Sequence, residues 1–313
     1  MLYPRLAFLI IPYTRLELPG WNYLFELSKV GGIPNYSLWK TAPTKTIRGK
    51  WHGYLMKLDL SDWSERYTYF LGRYHELGLQ LLMNQVLSAG DCFVDIGANM
   101  GLLTLHSAML VTNSGCVHSF EPNPKCCRRI RELLEINQIK HVQLHEVGLS
   151  DRAETLTLSV IADHTGMGTL ASPQDKYKEL TSETFEVPVL IGDDVIMQNS
   201  TPVKLIKIDV EGFELRVLRG LQRTLETWFP IVVTEVIEEW LGRAGTSRTE
   251  LCQFMKQFGY SPYGLTTQRR LFRHYLTLVP IEDAENANFT DFLWLHPNSR
   301  GFEALKPFIT NHN

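Results

Sequence analysis

The chain has 313 residues, 44% hydrophobic and 21% charged, enough apolar material for one large domain or a domain with an accessory layer. Its net charge of −3, from 31 Lys and Arg against 34 Asp and Glu, offers no basic field for nucleic acid, and no polybasic run marks an anionic membrane. The five cysteines (Cys92, Cys116, Cys126, Cys127, Cys252) lack CxxC or Cys/His metal spacing, and an odd count without a signal peptide points to reduced thiols in the cytoplasm.

Residues 1–43 are rich in proline and aromatics and carry no visible chemistry. A helix over 21–30, ended by Gly31-Gly32, is expected there. Residues 6–11 are apolar but lie between Pro4 and Pro12, too short a run to span a bilayer and without a cleavage-site pattern. The segment reads as an N-terminal cap; docking of this end on a membrane or a partner is the lesser alternative. Tyr54, Met56, Leu58 and Leu60 alternate with Lys57 and Asp59, as in a half-buried strand, with residues 45–51 as a hairpin partner. A helix over 74–86 follows, with Leu77, Leu81, Leu82 and Gln85 recurring at helical spacing.

Residues 91–122, DCFVDIGANMGLLTLHSAMLVTNSGCVHSFEP, organise the rest of the chain. Cys92–Ile96 is an apolar run broken only by Asp95, as in a strand covered on both faces of a parallel sheet. A glycine turn, Gly97-Ala98-Asn99-Met100-Gly101, leads into a helix carrying Leu102, Leu105, Ala108 and Met109. Asn113-Ser114-Gly115 ends that helix, and Cys116–Phe120 returns as a second strand that delivers Glu121. The result is a βαβ unit whose crevice lies at the carboxyl ends of its strands.

Spacing decides which ligand suits that crevice. The dinucleotide fingerprint G-x-G-x-x-G is not met, because Asn99 stands between Gly97 and Gly101. Asp95, two residues before the first glycine, would repel a phosphate and attract an ammonium or sulfonium. Glu121 and the adjoining Pro122 close the second strand, where a carboxylate suits the two hydroxyls of a ribose. A cationic ligand with a ribose and no phosphate is S-adenosylmethionine. The cofactor set expected on this strand–turn–helix is therefore Asp95, Gly97, Ala98, Asn99, Gly101, Glu121 and Pro122. A tight turn with two incidental acids is the bland alternative.

Asn123-Pro124 then caps a helix running to Asn137. Residues 142–149 read as the third strand, ending in Ser150-Asp151. These two residues either hydrogen-bond the adenine amino group or cap the turn. Leu156, Leu158 and Val160 alternate with polar residues, as do Phe185, Val187 and Val189, which gives an inserted strand pair. The long loop between them, 161–183, reads as a lid over an acceptor pocket and carries His164. Residues 204–210 form the fourth strand, with Lys207 unusual at its centre. Lys207, Asp209 and Glu211 are two apart, so extended geometry places them on one face. Residues 230–236 form the fifth strand, with Glu235 near its end. Ser247-Arg248-Thr249-Glu250 is a capping box, and residues 260–265 and 292–296 are candidate last strands.

Three ordered motifs, VDIGANMG, SFEPNP and LIKIDVEGFE, resemble the FkbM family of S-adenosylmethionine-dependent methyltransferases over roughly residues 73–294. The resemblance implies an α/β fold, a doubly wound and mainly parallel seven-stranded sheet (class I methyltransferase, Rossmann-like) whose last strand is antiparallel. It divides the chain into an accessory region, 1–72, and a methyltransferase domain, 73–313. His75-Glu76 matches a family position, where Glu76 either reaches the cofactor or is a solvated helix acid. O-methylation of a sugar or a small natural product is implied, with no nucleic acid as partner. A protein or nucleic-acid methyltransferase and an inactive scaffold are the rival functions. Methyl transfer to a hydroxyl needs a base. Glu211 is the expected acceptor-side base, Asp209 serves the cofactor amine or the proton, Lys207 supports both, and His164 is the reserve. No metal site is expected, although the acids at 209 and 211 are the oxygen ligands that magnesium prefers.

Overall fold

The computed structural model describes residues 3–31, 35–161, 168–170, 181–198, 201–270, 273–283 and 287–310. Strands β1 (Thr44–Arg48) and β2 (Leu55–Asp59) pair as the expected antiparallel hairpin, with Met56 and Leu58 inward and Lys57 outward. Next come β3 (Cys92–Ile96), β4 (Cys116–Phe120) and β5 (Val142–His145). The chain then leaves the main sheet for β6 (Gly148–Ser150), β7 (Glu154–Ile161), β8 (Gly168–Thr169) and β9 (Thr181–Ile191). It returns as β10 (Val203–Ile208), β11 (Ile231–Glu235), β12 (Ser261–Arg270), β13 (Arg273–Pro280) and β14 (Asp291–Leu295).

The main sheet has the order β13-β12-β14-β11-β10-β3-β4-β5. From β11 to β5 all neighbours are parallel, whereas β14 is antiparallel to both β11 and β12. This is the expected doubly wound sheet with one reversed strand, extended by an eighth strand, β13, on the edge. Only Ser261, Pro262, Tyr263 and Gly264 of β12 meet β14; beyond them β12 pairs with β13 alone. The Gln268-Arg269-Arg270 end of this hairpin is exposed on all sides, so it carries no apolar alternation to betray a strand.

The expected third strand is split at Glu146-Val147. Its second half, β6, pairs in parallel with β9 in a separate four-stranded sheet, β6-β9-β7-β8. The inserted pair is present as β7 against β9, Leu158 opposite Phe185. Most of the loop proposed as a lid, His164 included, lies outside the described residues.

Strand β3 is buried throughout, and its alternation feeds two cores. Phe93 packs with Leu82, Met83, Leu103 and Leu105 on one face of the sheet; Val94 and Ile96 pack with Leu215, Leu218 and Leu251 on the other. A third core lies in the N-terminal layer, where Phe25, Trp39, Leu60 and Phe70 surround a fully buried Arg66. That guanidinium donates to the carbonyls of Val30 (2.7 Å) and Leu60 (2.9 Å) and sits over the Trp39 ring. Among the described residues no helix is long and apolar enough to cross a membrane.

The expected boundary after residue 72 falls on Gly72, in left-handed conformation (φ +72°) at the end of the helix Trp63–Leu71. Arg73 reaches back across it with a two-pronged contact to Glu17, 2.9 and 2.8 Å. Lys50 also donates to Glu17. Burial alone would raise the Glu17 pKa, but the hydrogen bonds and charges of Arg73 and Lys50 win and hold it at about 2. A depressed carboxylate contributes stability above its unfolded value and loses it as pH falls through the folded value. Glu17→Gln is therefore expected to cost about 2–3 kcal/mol in urea unfolding at pH 7. The difference between the two proteins should shrink as pH falls from 4.5 toward 2; a gap that persists there would mean packing, not charge, holds the layer.

Candidate active site

The site is assembled where β3, β4, β10 and β11 end. Gly97 turns the chain out of β3 with φ +77°, and a Cβ there would lie 1.8 Å from the Asp209 carbonyl oxygen, so the ends of β3 and β10 meet only over glycine. The N–H groups of Gly97 and Ala98 donate to the Phe120 carbonyl at 2.9 and 3.0 Å, tying the turn to β4. Asn99 follows in left-handed conformation (φ +50°) and donates its N–H to Glu121 Oε2 at 2.8 Å. Glu121 Oε1 accepts the N–H of Asn123, also at 2.8 Å. Burial raises the Glu121 carboxyl to about 7 against these two donors. Each oxygen keeps a lone pair, so two further hydroxyls can be accepted from the open side.

Gly101 has a different role from the one expected. It does adopt left-handed geometry (φ +75°), but a Cβ there would press on Ile130 Cγ1 at 2.9 Å. Its bareness serves packing against the helix Pro124–Ile136 and not the approach of a ligand. Asp95 is displaced from expectation too. Its side chain is fully buried behind the turn, with Oδ2 accepting from Thr104 Oγ1 at 2.7 Å, and it lines neither of the two hollows beside this framework. It acts through Lys207, whose Nζ lies 3.7 Å from Asp95 Oδ1, 3.3 Å from Asp209 Oδ2 and 2.7 Å from the Gly97 carbonyl. Burial would lower the Lys207 pKa, but Asp209, Asp95 and Glu76 raise it above the ordinary lysine value, so it stays cationic.

Two hollows open beside this framework. The first, about 620 Å³ including space open to solvent, is walled by Gly97, Phe120, Glu121, Pro122, Leu149 and Leu158. The second, about 1270 Å³ on the same measure, is walled by Trp63, Tyr74, His75, Glu76, Glu235 and Trp240. Asn99, Asp209 and Glu211 line both and form the junction. Ser150 and Asp151 line neither. Ser150 is buried and donates to Asp151 at 3.1 Å, the turn-capping geometry, while Val147, Gly148 and Leu149 form the wall at that level.

Lys207 and Asp209 do share a face, as their spacing requires. Glu211 does not continue it: it is left-handed (φ +55°) and swings to the junction, with its carbonyl held by Thr169 Oγ1 at 2.9 Å. Lys207 does pull the Glu211 pKa down, but it is outweighed. Burial first, then the charges of Asp209 and Glu214, push Glu211 up to about 9. Glu235 rises to about 10, Glu76 to about 8 and Asp291, opposite Glu235 in the sheet, to about 6, each chiefly by burial and then by Asp209. Against these acids stand Lys207 in the wall and Arg243 behind it. The junction has a surplus of carboxyl groups and suits a cation.

Glu76 lines the second hollow and receives the Tyr74 hydroxyl at 3.2 Å. Burial lowers His75 to about 4, so its imidazole is neutral, with Ser64 Oγ 3.3 Å from Nδ1. Glu235, Asp291, Trp63 and Trp240 were not singled out from sequence; only Glu235, at the carboxyl end of a central strand, carried a usable signal. Oxygens of Asp209, Glu211 and Glu235 lie within 4.8 Å of one another and could hold a hard cation; Cys92, Cys116 and His118, away from the hollows, form a comparable soft set.

A family model described as the methyltransferase FkbM domain matches residues 95–262. "Methyltransferase 1" of Beauveria bassiana is 31% identical over 179 residues, half of this chain and 69% of the relative. "Hexuronic acid methyltransferase AglP" of Haloferax volcanii is 28% identical, covering 48% of this chain and 57% of the relative. "31-O-demethyl-FK506 methyltransferase FkbM" of Streptomyces tacrolimicus is 29% identical, covering 44% and 61%.

Because Glu121 holds the turn as well as facing the hollow, two variants separate its roles. Glu121→Ala is expected to weaken S-adenosylmethionine binding about ten- to a hundredfold by titration calorimetry, the worth of a lost charged acceptor. Glu121→Gln, which retains one acceptor oxygen, should fall between. Equal affinities in all three folded proteins would remove Glu121 from the ribose.

Proposed function

The chain belongs to the methyltransferase FkbM domain family, and on that premise we propose that it moves a methyl group from S-adenosylmethionine to a hydroxyl of a sugar or small natural product. The observation that carries this reading is the junction: an acid-rich neck shared by two hollows, one with Glu121 and apolar walls and one lined by Trp63, Tyr74 and Trp240. The residues present fit the cofactor. Glu121 is presented to accept two ribose hydroxyls, and Phe120, Leu149 and Leu158 provide apolar walls for a base. Asp209, with Asn99, is suited to an α-ammonium group. When bound, the cofactor supplies an activated methyl on a sulfonium, whose positive charge the surplus of carboxyl groups favours.

The second hollow supports the acceptor class. Trp63, Tyr74 and Trp240 offer flat apolar faces, and the carboxyl groups between them offer acceptors for several hydroxyls. The two relatives named for a hexuronic acid and for 31-O-demethyl-FK506 are consistent with hydroxyl acceptors. A cytoplasmic setting remains part of the proposal, supported by the five cysteines standing as free thiols.

Glu211 is proposed as the base. Burial and neighbouring acids favour its protonated form at neutral pH, and a cation at the junction would lower its pKa and free the carboxylate. Asp209, anchored to Lys207, keeps the cofactor side in place. A base must be deprotonated, so rates should rise with pH. The kcat/KM for the cofactor, which reports the free enzyme, should inflect near 9. The kcat, which reports the complex, should inflect lower.

The acceptor is found by incubating the protein with methyl-labelled cofactor and cell extract and identifying the labelled product. With that acceptor, Glu211→Gln is expected to cut kcat by about 10²–10⁴-fold while cofactor affinity stays nearly unchanged. Asp209→Asn should weaken the cofactor first. Near-normal turnover in Glu211→Gln, with loss in Glu235→Gln, would transfer the proton to Glu235. Labelled protein or nucleic acid in place of a small molecule would overturn the acceptor class.

A further inference from the structure

The amino ends of β3 and β4 carry a second group of reactive side chains, at the opposite end of the strands from the two hollows and lining neither. Cys92 opens β3 and Cys116 opens β4, and the parallel register sets them side by side. His118 is two residues beyond Cys116 on the same strand, opposite Val94, so the period of two turns all three side chains to one face. On that face Cys92 and Phe120 join the core that holds Val94 and Ile96, and Cys116 packs against it. Ligand atoms of Cys92, Cys116 and His118 lie within 4.8 Å of one another, and the Cys116 sulfur is in hydrogen-bond contact with both partners. Cys92 and His118 are at most 1% exposed; Cys116 is half-buried and is the member that meets solvent. The ligands come from two strands joined through a helix, so no short spacing announces them.

The donor set determines what such a group binds. Two sulfurs and an imidazole select a soft or borderline metal, where the acids at the junction select a hard one. Charge chooses within that class. Two thiolates and a neutral imidazole around a divalent ion sum to zero, whereas Cu(I) would leave a net negative charge in a buried setting. Asp91, next to Cys92, is already paired with Lys204 at 2.8 Å and Arg300 at 3.4 Å, so its charge is met elsewhere. A tetrahedral zinc ion takes sulfur at about 2.3 Å and imidazole nitrogen at about 2.0 Å, which sets ligand atoms roughly 3.5–3.8 Å apart. The limit seen here is about 1 Å wider, a gap that rotation of the cysteine and histidine side chains can close. His145 Nε2 lies 3.1 Å from His118 Nδ1 and orients the ring, as outer partners do for metal-bound histidines.

We propose that Cys92, Cys116 and His118 form a structural zinc site that pins β3 to β4 at their amino ends, with water as the fourth ligand on the exposed side of Cys116. Two Zn–S bonds and one Zn–N bond form, the thiol protons leave to solvent, and no electron is transferred. The ion sits one strand length, about 13 Å, from the end of β3 that carries the turn. It therefore stabilises the βαβ unit without entering methyl transfer.

The test uses the full chain, reduced and freed of metal with a chelator, titrated with Co(II) and followed by absorption. One equivalent per chain should produce a near-ultraviolet thiolate-to-cobalt charge-transfer band and the visible bands of a tetrahedral ion, and zinc should displace the cobalt and bleach both. Cys116→Ser should at least halve the charge-transfer band, and His118→Ala should weaken cobalt binding at least about tenfold. Cys252→Ala, at a buried cysteine elsewhere, and Glu235→Gln, in the oxygen set, should keep the parent band. Zinc should raise the melting temperature of the parent and not that of Cys116→Ser. Circular dichroism checks the fold of each variant, and the parent titration decides by itself if a variant does not fold. Absence of a thiolate band in the reduced parent, or an undiminished band in Cys116→Ser, would overturn the proposal. So would a Cys92–Cys116 disulfide formed on mild oxidation in a parent that takes up no metal, which would assign the pair to thiol redox chemistry.

Discussion

The site depends on one buried ammonium. Lys207 sits one residue before the end of β10, in register with Asp95 of β3, and its Nζ spans the gap between the two strand ends by donating to the Gly97 carbonyl. A lysine in this position is tolerated only because three oxygen groups surround it, and those groups are tolerated only because it is there. Asp95 would otherwise be a carboxyl with no countercharge in a dry interior, and Asp209 would be one more acid in a neck already crowded with them. The turn carrying Asn99, and through Asn99 the orientation of Glu121, hangs from the same contact.

That arrangement separates two tasks that a methyltransferase must combine. Binding a sulfonium requires negative potential, whereas accepting a proton from an alcohol requires a carboxylate that is not too weak a base. The acids at the junction repel one another, and burial holds several of them protonated until a cation arrives. On the proposed mechanism, the cation that brings the methyl would also prepare the base. The left-handed backbone at Glu211 fits this account. It bends the chain out of the strand one residue before Gly212.

The N-terminal layer is joined to the catalytic sheet by charge as well as by packing. Glu17 bridges Lys50 and Arg73 across the expected domain boundary, so the division after residue 72 is one of sequence resemblance more than of mechanics. The helix Trp63–Leu71 faces both ways. Its buried Phe70 and Arg66 complete the layer's core, while Trp63 at its start lines the second hollow. A surface event on the layer is thus one helix away from the site.

Sequence by itself determined the strand–turn–helix–strand unit, the inserted pair and Glu121 just beyond the end of β4, because each rests on local periodicity and on glycine or proline punctuation over a few residues, and the alternation of strands and helices gave the mainly parallel sheet, whereas its reversed strand was expected only from the family resemblance. It also placed Lys207 and Asp209 on one face, since a strand has a fixed period of two. Tertiary structure alone decided what those residues touch. Gly101 turned out to face Ile130, Asp95 to lie behind the turn and Ser150 to point away from the hollow, and no spacing rule contains those directions. Trp63 and Trp240 reach the second hollow from segments far apart in the chain, so nothing local announces them, and only Glu235, near the end of a central strand, had a local signal. The protonation of Glu211 is likewise a property of the assembled neck: burial and neighbouring charge, which exist only after folding, outweigh the lysine four residues away.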